Sequence, residues 1–141
     1  MKFYIDTNIY LNLWKKEGDE TKGIPYWKLA KDFLDKAERE NSIIIFSGLI
    51  LKELRYKLTE EQYQEKENLL NSTYEKIEVT EEDYKNARKL ESKSNFEISF
   101  YDCLHVSVCK RLNLVLVTRD ALLLKFAINE GVKCGKPENF L

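Results

Sequence analysis

The sequence has few of the residues that mark a disulfide-rich protein or a histidine-based metal protein. Its 141 residues include three cysteines and one histidine, His105. The cysteines at 103, 109 and 134 are odd in number and form no CxxC pair, so neither a disulfide framework nor a zinc knuckle is indicated. We expect buried, reduced thiols, as in a cytosolic protein. A metal site built on histidine ligands is disfavoured.

Long apolar runs and an excess of one charge are also missing. No segment approaches the ~20 apolar residues of a membrane span. Asp6 interrupts the first apolar stretch, where a signal peptide would avoid an acid. These features predict a cytoplasmic protein that does not contact membranes. With 23 basic and 24 acidic residues, the net charge is −1. Binding of nucleic acid would therefore require a local basic patch, or metal ions at an acidic site.

Short apolar runs alternate with longer segments of helical periodicity along the whole chain. The runs predicted to be strands are 2–5, 43–46, 76–79, 114–117 and 132–134. Ser47, Ser99 and Thr118 are expected to cap helices, and Gly131 is expected to end the last long helix. Strands that alternate with helices form parallel sheets covered on both faces. We predict a single domain over residues 1–141, an α/β fold of three α/β/α layers around a mostly parallel sheet of four or five strands.

Acidic residues recur near the ends of the predicted strands. Asp6 directly follows the first strand, and Glu53 lies about two turns into the helix after the second. Asp102 lies in the first turn of the helix before the fourth strand, and Asp120 comes just after that strand. Because ligands of open parallel sheets bind beyond the carboxyl ends of the strands, we expect the four carboxylates to lie together. Their oxygens suit Mg²⁺ or Mn²⁺, whereas zinc more often recruits histidine or cysteine.

Metal ions at these acids would give the site a definite chemistry. Two metal ions, or one with an activated water, can attack a phosphodiester in line and stabilise the leaving oxygen. The protein then needs only to hold the carboxylates and position the backbone to be cut. Without cations, carboxylates this close would repel one another. The acids therefore predict a metal-dependent enzyme that cleaves phosphodiesters.

Each acid taken alone also fits a structural role. Asp6 is placed to accept backbone N–H groups at a helix start, and Asp120 to compensate the dipole of a helix capped by Thr118. Glu53 could pair with a lysine four residues later. The segment from Ser99 to Asp102 resembles a capping box with aspartate in place of glutamate. These separate roles do not explain why the acids fall at the same end of consecutive strands.

Four segments of the sequence resemble the PIN domain, the nuclease fold of many prokaryotic toxin ribonucleases of the VapC type. Phe3-Tyr-Ile-Asp-Thr-Asn-Ile-Tyr-Leu11 is similar to the first strand and Asp-Thr-Asn signature of that family, and Ser47-Gly-Leu-Ile-Leu-Lys-Glu53 to its second acidic segment. Residues 98–105 followed by 116–120 resemble the third and fourth acidic motifs in order and spacing. The tail 136–141 resembles a common PIN ending, so the resemblance covers nearly the whole chain.

The resemblance implies a set of site residues and a cofactor. The implied catalytic acids, which are also the metal ligands for Mg²⁺ or Mn²⁺, are Asp6, Glu53, Asp102 and Asp120. Asn8 and Thr118 would be polar supports that orient carboxylates or water. Some members of the family carry a further acid shortly after the fourth. Here residues 121–124 are apolar, so we expect a second metal ion to bind weakly.

The resemblance also implies an activity and partners. It points to an endoribonuclease with an RNA substrate, the toxin of a type II toxin–antitoxin pair, forming a homodimer and bound by an antitoxin whose tail blocks the acidic pocket. The alternative is a PIN-domain RNA-processing factor or a non-catalytic RNA-binding scaffold. A phosphatase of the haloacid-dehalogenase type needs a second aspartate where this chain has Asn8. A structure-specific DNA nuclease would share the acids but needs DNA-anchoring insertions for which there is no room.

Three further features have two interpretations each. Arg119, beside Asp120, is the basic residue best placed to bind a substrate phosphate, although most charged residues are solvated surface. His105 is expected to be a packed or capping residue, with a general-base role as the alternative. The aromatic residues near the N-terminus are expected mostly in the core, with base stacking or partner binding as the alternatives; they are Tyr4, Tyr10, Trp14, Tyr26 and Trp27.

Overall fold

The computed structural model describes all 141 residues, which form five strands and seven α-helices. The strands are β1 (Lys2–Ile5), β2 (Ile43–Ser47), β3 (Glu75–Ile77), β4 (Val115–Val117) and β5 (Cys134–Gly135). The helices are α1 (Thr7–Lys15), α2 (Tyr26–Arg39), α3 (Gly48–Lys57), α4 (Glu60–Thr73), α5 (Glu81–Lys93), α6 (Phe100–Leu112) and α7 (Ala121–Asn129). A short 3₁₀ helix, Pro137–Phe140, follows β5.

All five strands are parallel and lie in the order β3-β2-β1-β4-β5. The chain moves outward from β1 to β3, returns across the sheet to β4, and then moves outward again to β5. Because crossovers between parallel strands are right-handed, this reversal places α1–α4 on one face and α5–α7 on the other. The predicted α/β fold around a parallel sheet is confirmed, with five strands in the sheet.

The core lies on both faces of the central strands. Phe3, Tyr4 and Ile5 of β1 are buried, as is the whole of β4. Continuous apolar strands of this kind are typical of parallel sheets that helices cover on both sides. The edge strand β3 is mostly exposed. The cysteines are free, with Cys103 and Cys109 buried. None of the helices combines the length and apolar character that crossing a bilayer would require.

The predicted elements are all present, with small differences at their ends. The third strand begins and ends earlier than predicted, at 75–77, and the last strand is displaced to 134–135. Asn113 ends α6 in the left-handed conformation, with φ of 55°. Gly131 follows α7 with φ of +80°, which confirms it as the glycine that ends this helix.

Asp83 is a buried acid with a structural role. It forms a capping box with Thr80 at the start of α5, and Arg111 of α6 donates to both of its carboxylate oxygens at 2.9 and 2.8 Å. Burial alone would raise the pKa of Asp83, but the hydrogen bonds from Arg111 and from the Thr80 backbone lower it. Asp83 therefore ties α5 to α6 as a stably ionised carboxylate.

Candidate functional site

The four predicted site acids converge where β1 and β4 end. Asp6 directly follows β1 and Asp120 follows β4, the neighbouring strands between which the chain direction across the sheet reverses. Asp102 lies in the first turn of α6, and Glu53 lies in the middle of α3. The pKa of Asp102 is raised first by burial and then by the charges of the other three acids. The acids thus form one electrostatic cluster at the switch point of the sheet, where ligands of such folds bind.

Asp6 is the buried base of this cluster and is only 6% exposed. Its backbone N–H donates to Val117 O at 2.9 Å, and the Thr118 hydroxyl donates to Asp6 Oδ2 at 2.8 Å. Burial raises the pKa of the Asp6 carboxyl, and the charge of His105 and the Thr118 hydrogen bond offset this only in part. The fold thus holds a carboxylate in a place that disfavours its negative charge.

Thr118 has a different local role from the one predicted. The cap of α7 is Asp120, whose Oδ1 accepts two backbone N–H groups of the first turn at 3.0 and 3.1 Å. Thr118 is still tied to the sheet, since its N–H donates to Gly135 O at 3.0 Å, and it is therefore too early to cap the helix. Its hydroxyl donates to Asp6 and accepts from the Asp120 N–H at 3.2 Å, so it connects two acids of the cluster.

Asp102 shows only half of the capping box suggested by the sequence. Its backbone N–H donates to Ser99 Oγ at 3.2 Å, but its carboxylate does not return a bond to the Ser99 backbone. The carboxylate belongs instead to the acidic cluster, where burial raises its pKa to about 6, with repulsion from Asp6 as the next contribution. Ser99 provides the cap, and the negative charge of Asp102 is offset only in part by His105.

Glu53 is bound to His105 and forms no ion pair with Lys57. Its Oε1 lies 2.5 Å from His105 Nε2, across a gap of 52 residues in the chain. Burial acts to lower the pKa of His105, but the hydrogen bond and charge of Glu53 and the charges of Asp6 and Asp102 raise it overall. The imidazole is 1% exposed, which confirms the packed role expected for this residue.

The donors in this cluster suit a hard divalent cation. No three side chains already surround a common point closely enough to form a complete ligand set. One oxygen of each of Asp6, Asp120 and Glu53 is held by a protein group, and Asp102 has no such partner. Burial and mutual repulsion raise the pKa values of Asp6 and Asp102 in the absence of metal. Oxygen donors with uncompensated negative charge fit Mg²⁺ or Mn²⁺.

Two other predicted site residues are placed less favourably. Asn8 lies at the exposed face of the start of α1 and forms no hydrogen bond with the four acids. Arg119 is mostly buried, stacks on the Tyr26 ring at 4.1 Å, and lies 2.9 Å from a Glu138 oxygen. A substrate phosphate would have to displace Glu138 to reach this guanidinium, so its role in binding substrate stays a prediction.

The N-terminal aromatic residues are used for packing. Tyr4 and Tyr10 are buried, and Trp14 stacks on Tyr10 with 5.3 Å between ring centroids. The Tyr26 ring packs against the guanidinium of Arg119, and Trp27 is half-buried. The expectation of core packing is confirmed for Tyr4, Tyr10 and Trp14, whereas Tyr26 and Trp27 are half-buried outside the core.

A group of aromatic and basic side chains, exposed except for the half-buried Phe100, instead lies beside Glu53 and Asp102, and sequence reasoning missed it. This aromatic surface consists of Lys52, Tyr56, Tyr84, Arg88, Phe100 and Tyr101. Lys52 Nζ donates to Tyr101 Oη at 3.1 Å, and Arg88 lies 5.1 Å from the Phe100 ring centroid. Lys52 directly precedes Glu53, and Tyr101 directly precedes Asp102. This adjacency is the one sequence signal that could have revealed the surface.

Comparison with known families gives one match that covers most of the chain. A family model described as PIN domain matches residues 3–129. No curated protein sequence matches the chain.

Several solved structures have a similar fold at low sequence identity. VapBC2 from Rickettsia felis, bound to a DNA fragment from its promoter, matches with a TM-score of 0.71 and 22% identity, over 96% of this chain and 98% of that chain. VapBC-1 from nontypeable Haemophilus influenzae matches with a TM-score of 0.72 and 18% identity, over 98% of this chain and 99% of that chain. A toxin–antitoxin complex from Klebsiella pneumoniae matches with a TM-score of 0.67 and 16% identity, over 96% of this chain and 97% of that chain.

Proposed function

This chain belongs to the PIN-domain family, and on that premise we propose that it is a metal-dependent endoribonuclease, the toxin of a type II toxin–antitoxin pair. The observation that carries the proposal is the convergence of Asp6, Glu53, Asp102 and Asp120 at the switch point of the sheet. The likeness of the fold to chains from VapBC and other toxin–antitoxin complexes supports the biological role.

In this proposal the four acids hold Mg²⁺ or Mn²⁺. The bound cation supplies an activated water and neutralises charge that develops on a phosphodiester. Asp6 forms the buried base of the site, and Thr118 keeps its carboxylate oriented. Asp120 keeps Oδ1 on the α7 backbone and leaves Oδ2 without such a bond, since helix capping occupies only one oxygen. These residues thus hold the carboxylate oxygens in place, and hydrolysis depends on the cation that those oxygens bind.

The decisive test is cleavage of RNA by purified protein with different metals. Protein freed of contaminating nucleases should cut RNA when Mg²⁺ or Mn²⁺ is present and should stop when EDTA is added. Structured and unstructured RNAs and single-stranded DNA of the same sequence should be compared in the same assay. Undiminished cleavage in EDTA would contradict the mechanism. Binding of RNA without cleavage under any metal would favour the alternative of a non-catalytic scaffold.

We further propose that the aromatic surface binds the single-stranded part of the substrate beside the acids. Aromatic side chains stack on bases, and basic side chains bind phosphates. Tyr101 is 40% exposed and Tyr56 is 74% exposed, so both rings are available. Lys52 and Arg88 provide positive charge where the acids alone would repel the nucleic-acid backbone.

The substitution Tyr101→Ala should raise the KM for a single-stranded RNA at least about fivefold and leave kcat nearly unchanged, because one stacked base contributes roughly 1–3 kcal/mol. Steady-state kinetics on a short RNA would measure both constants. Phe96→Ala is the matched control, since Phe96 is 70% exposed but lies outside the aromatic surface. Equal effects of the two substitutions on KM would argue against stacking at this surface.

The proposed partners are a second copy of the chain and an antitoxin. Light scattering at tens of micromolar should give the mass of a homodimer, and a monomer at that concentration would contradict self-association. A small reading frame next to the gene should encode a protein whose co-expression inhibits cleavage. Because the site is acidic, the inhibiting segment is expected to carry a basic side chain.

A further inference from the structure

A buried chain of hydrogen bonds connects the centre of the sheet to Glu53. Ser47 Oγ lies 2.8 Å from Tyr4 Oη, and Tyr4 Oη lies 2.7 Å from His105 Nδ1. The other ring nitrogen, His105 Nε2, lies 2.5 Å from Glu53 Oε1. Ser47 and Tyr4 are fully buried and His105 is 1% exposed, while the Glu53 side chain is 26% exposed. The chain therefore runs from the solvent-free core to the edge of the acidic cluster.

The carboxylate of Glu53, at one end of this series of hydrogen bonds, determines their directions. An ionised carboxylate can only accept, so His105 Nε2 carries a hydrogen and donates to it. With a neutral ring, Nδ1 accepts from the Tyr4 hydroxyl, whose oxygen then accepts from Ser47. With a protonated ring, Nδ1 donates to Tyr4, which donates to Ser47. In both arrangements each of these polar atoms keeps a hydrogen-bond partner, so the ring orientation is fixed in either state.

We propose that His105, oriented by Tyr4 and Ser47, is a positioning residue that fixes the carboxylate of Glu53 for metal binding. Both ring nitrogens are engaged and the ring is inaccessible, which excludes direct contact with substrate and so the general-base alternative. A half-buried glutamate side chain in the middle of a helix has several rotamers, and the bond at Oε1 selects one of them. Oε2 remains free for the cation. This inference rests on the proposed function.

Tyr10 provides a matched comparison for Tyr4 within the same fold. It is also a buried tyrosine, 1% exposed, but its hydroxyl has no hydrogen-bond partner. Removing the Tyr10 hydroxyl therefore changes no polar contact, whereas removing that of Tyr4 leaves His105 Nδ1 and Ser47 without their partner. The substitutions Tyr4→Phe and Tyr10→Phe are chemically identical, and both keep the ring in the core.

The first measurement is the affinity of the metal for the full-length protein, from a Mn²⁺ titration followed by electron paramagnetic resonance without RNA. Tyr4→Phe should weaken Mn²⁺ binding about tenfold, because residues that orient a metal ligand typically contribute 10- to 100-fold to affinity. Tyr10→Phe should bind like the wild type. In a Glu53→Gln background, Tyr4→Phe should have no additional effect, since Tyr4 acts through Glu53. Wild-type affinity in Tyr4→Phe, or a tenfold effect that persists without Glu53, would overturn the proposal.

The second measurement separates failure of this inference from failure of the proposed function. In metal-free protein labelled with ¹⁵N-histidine, the Nε2 proton of His105 should give a downfield resonance that exchanges slowly with water. The resonance should persist in Tyr10→Phe and be shifted or lost in both Tyr4→Phe and Glu53→Gln. An unchanged spectrum in Tyr4→Phe would overturn the positioning role. A wild-type protein that shows the resonance but binds no Mn²⁺ would contradict the proposed metal site instead.

Discussion

Asp6→Asn should reduce metal-dependent RNA cleavage by at least about a hundredfold, close to 3 kcal/mol of transition-state stabilisation. The amide is nearly isosteric and can still accept the hydrogen bond from Thr118, so the local packing should remain. What it loses is the negative charge at the base of the acidic cluster. Because burial raises the pKa of Asp6, this charge destabilises the metal-free fold. The variant should therefore be at least as stable as the wild type in EDTA.

Asp83→Asn is the control for this experiment, because Asp83 is a buried aspartate outside the site. Its carboxylate is held by Arg111, and its pKa is lowered, so removing the charge should cost about 2–3 kcal/mol of folding free energy. At a temperature where it remains folded, this variant should cleave RNA like the wild type. Asp6→Asn should thus lower the cleavage activity without lowering the stability, and Asp83→Asn should lower the stability without lowering the activity. Near-normal cleavage by Asp6→Asn would remove Asp6 from the metal site.

Asp102→Asn should raise the stability of the metal-free protein and abolish most of its response to magnesium. The raised pKa of about 6 means that the ionised carboxylate is disfavoured in the fold. The penalty at neutral pH is of the order of 1–2 kcal/mol after partial solvent exposure is considered. Magnesium binds only the folded wild type and should stabilise it by about 2.7 kcal/mol at a hundred times its Kd. The variant lacks one of the proposed ligands and should gain much less.

The pH dependence of this effect has a definite sign. The pKa of Asp102 is higher in the folded state, about 6, than its usual value of about 3.8. Folding therefore takes up a proton between these values, and the wild type loses stability as the pH rises through this window. The advantage of Asp102→Asn should be absent near pH 4 and complete above pH 6, within about half a unit at each end. Asp83 has a lowered pKa and should show the opposite trend, with stability lost as the pH falls.

Thermal melts of both proteins in EDTA and in excess magnesium, alongside the RNA assay, measure this prediction. If Asp102 were only a helix-start residue, its replacement would lower stability by roughly 0.3–1 kcal/mol. A variant that melts lower in EDTA, keeps its magnesium response and still cleaves RNA would establish that role. The missing return bond to Ser99 is the reason for expecting the other outcome.

The sequence was sufficient to predict the order of strands and helices and the convergence of the four acids. Apolar runs as short as β1 and β4 were identifiable because both faces of these strands are buried, which makes every residue from Phe3 to Ile5 and from Val115 to Val117 apolar. Right-handed crossovers and the switch-point rule then bring residues such as Asp6 and Asp120 together without any knowledge of side-chain contacts.

The local partners of the acids could not be predicted in the same way. The contact between His105 and Glu53 joins α6 to α3 and depends on the packing of both helices on the sheet. The cap of α7 is Asp120 and not Thr118, because the Thr118 N–H still donates to Gly135 O of β5 just past the end of β4. Arg119 donates to Glu138 of the C-terminal 3₁₀ helix, which lies 19 residues further along the chain. Such contacts are long-range, and local periodicity carries no information about them.

The hydrogen bond between Thr118 and Asp6 has a consequence for the biosynthesis of the protein. Its two residues are 112 positions apart, and β1 reaches its partner β4 only when most of the chain has been made. Contacts of such large sequence separation form late in folding, after the intervening loop has closed. A nascent chain that is still missing β4 has Asp6 and Glu53 but neither Thr118 nor Asp120. During translation the ribosome therefore carries a product that cannot complete the acidic site until residue 120 has been synthesised.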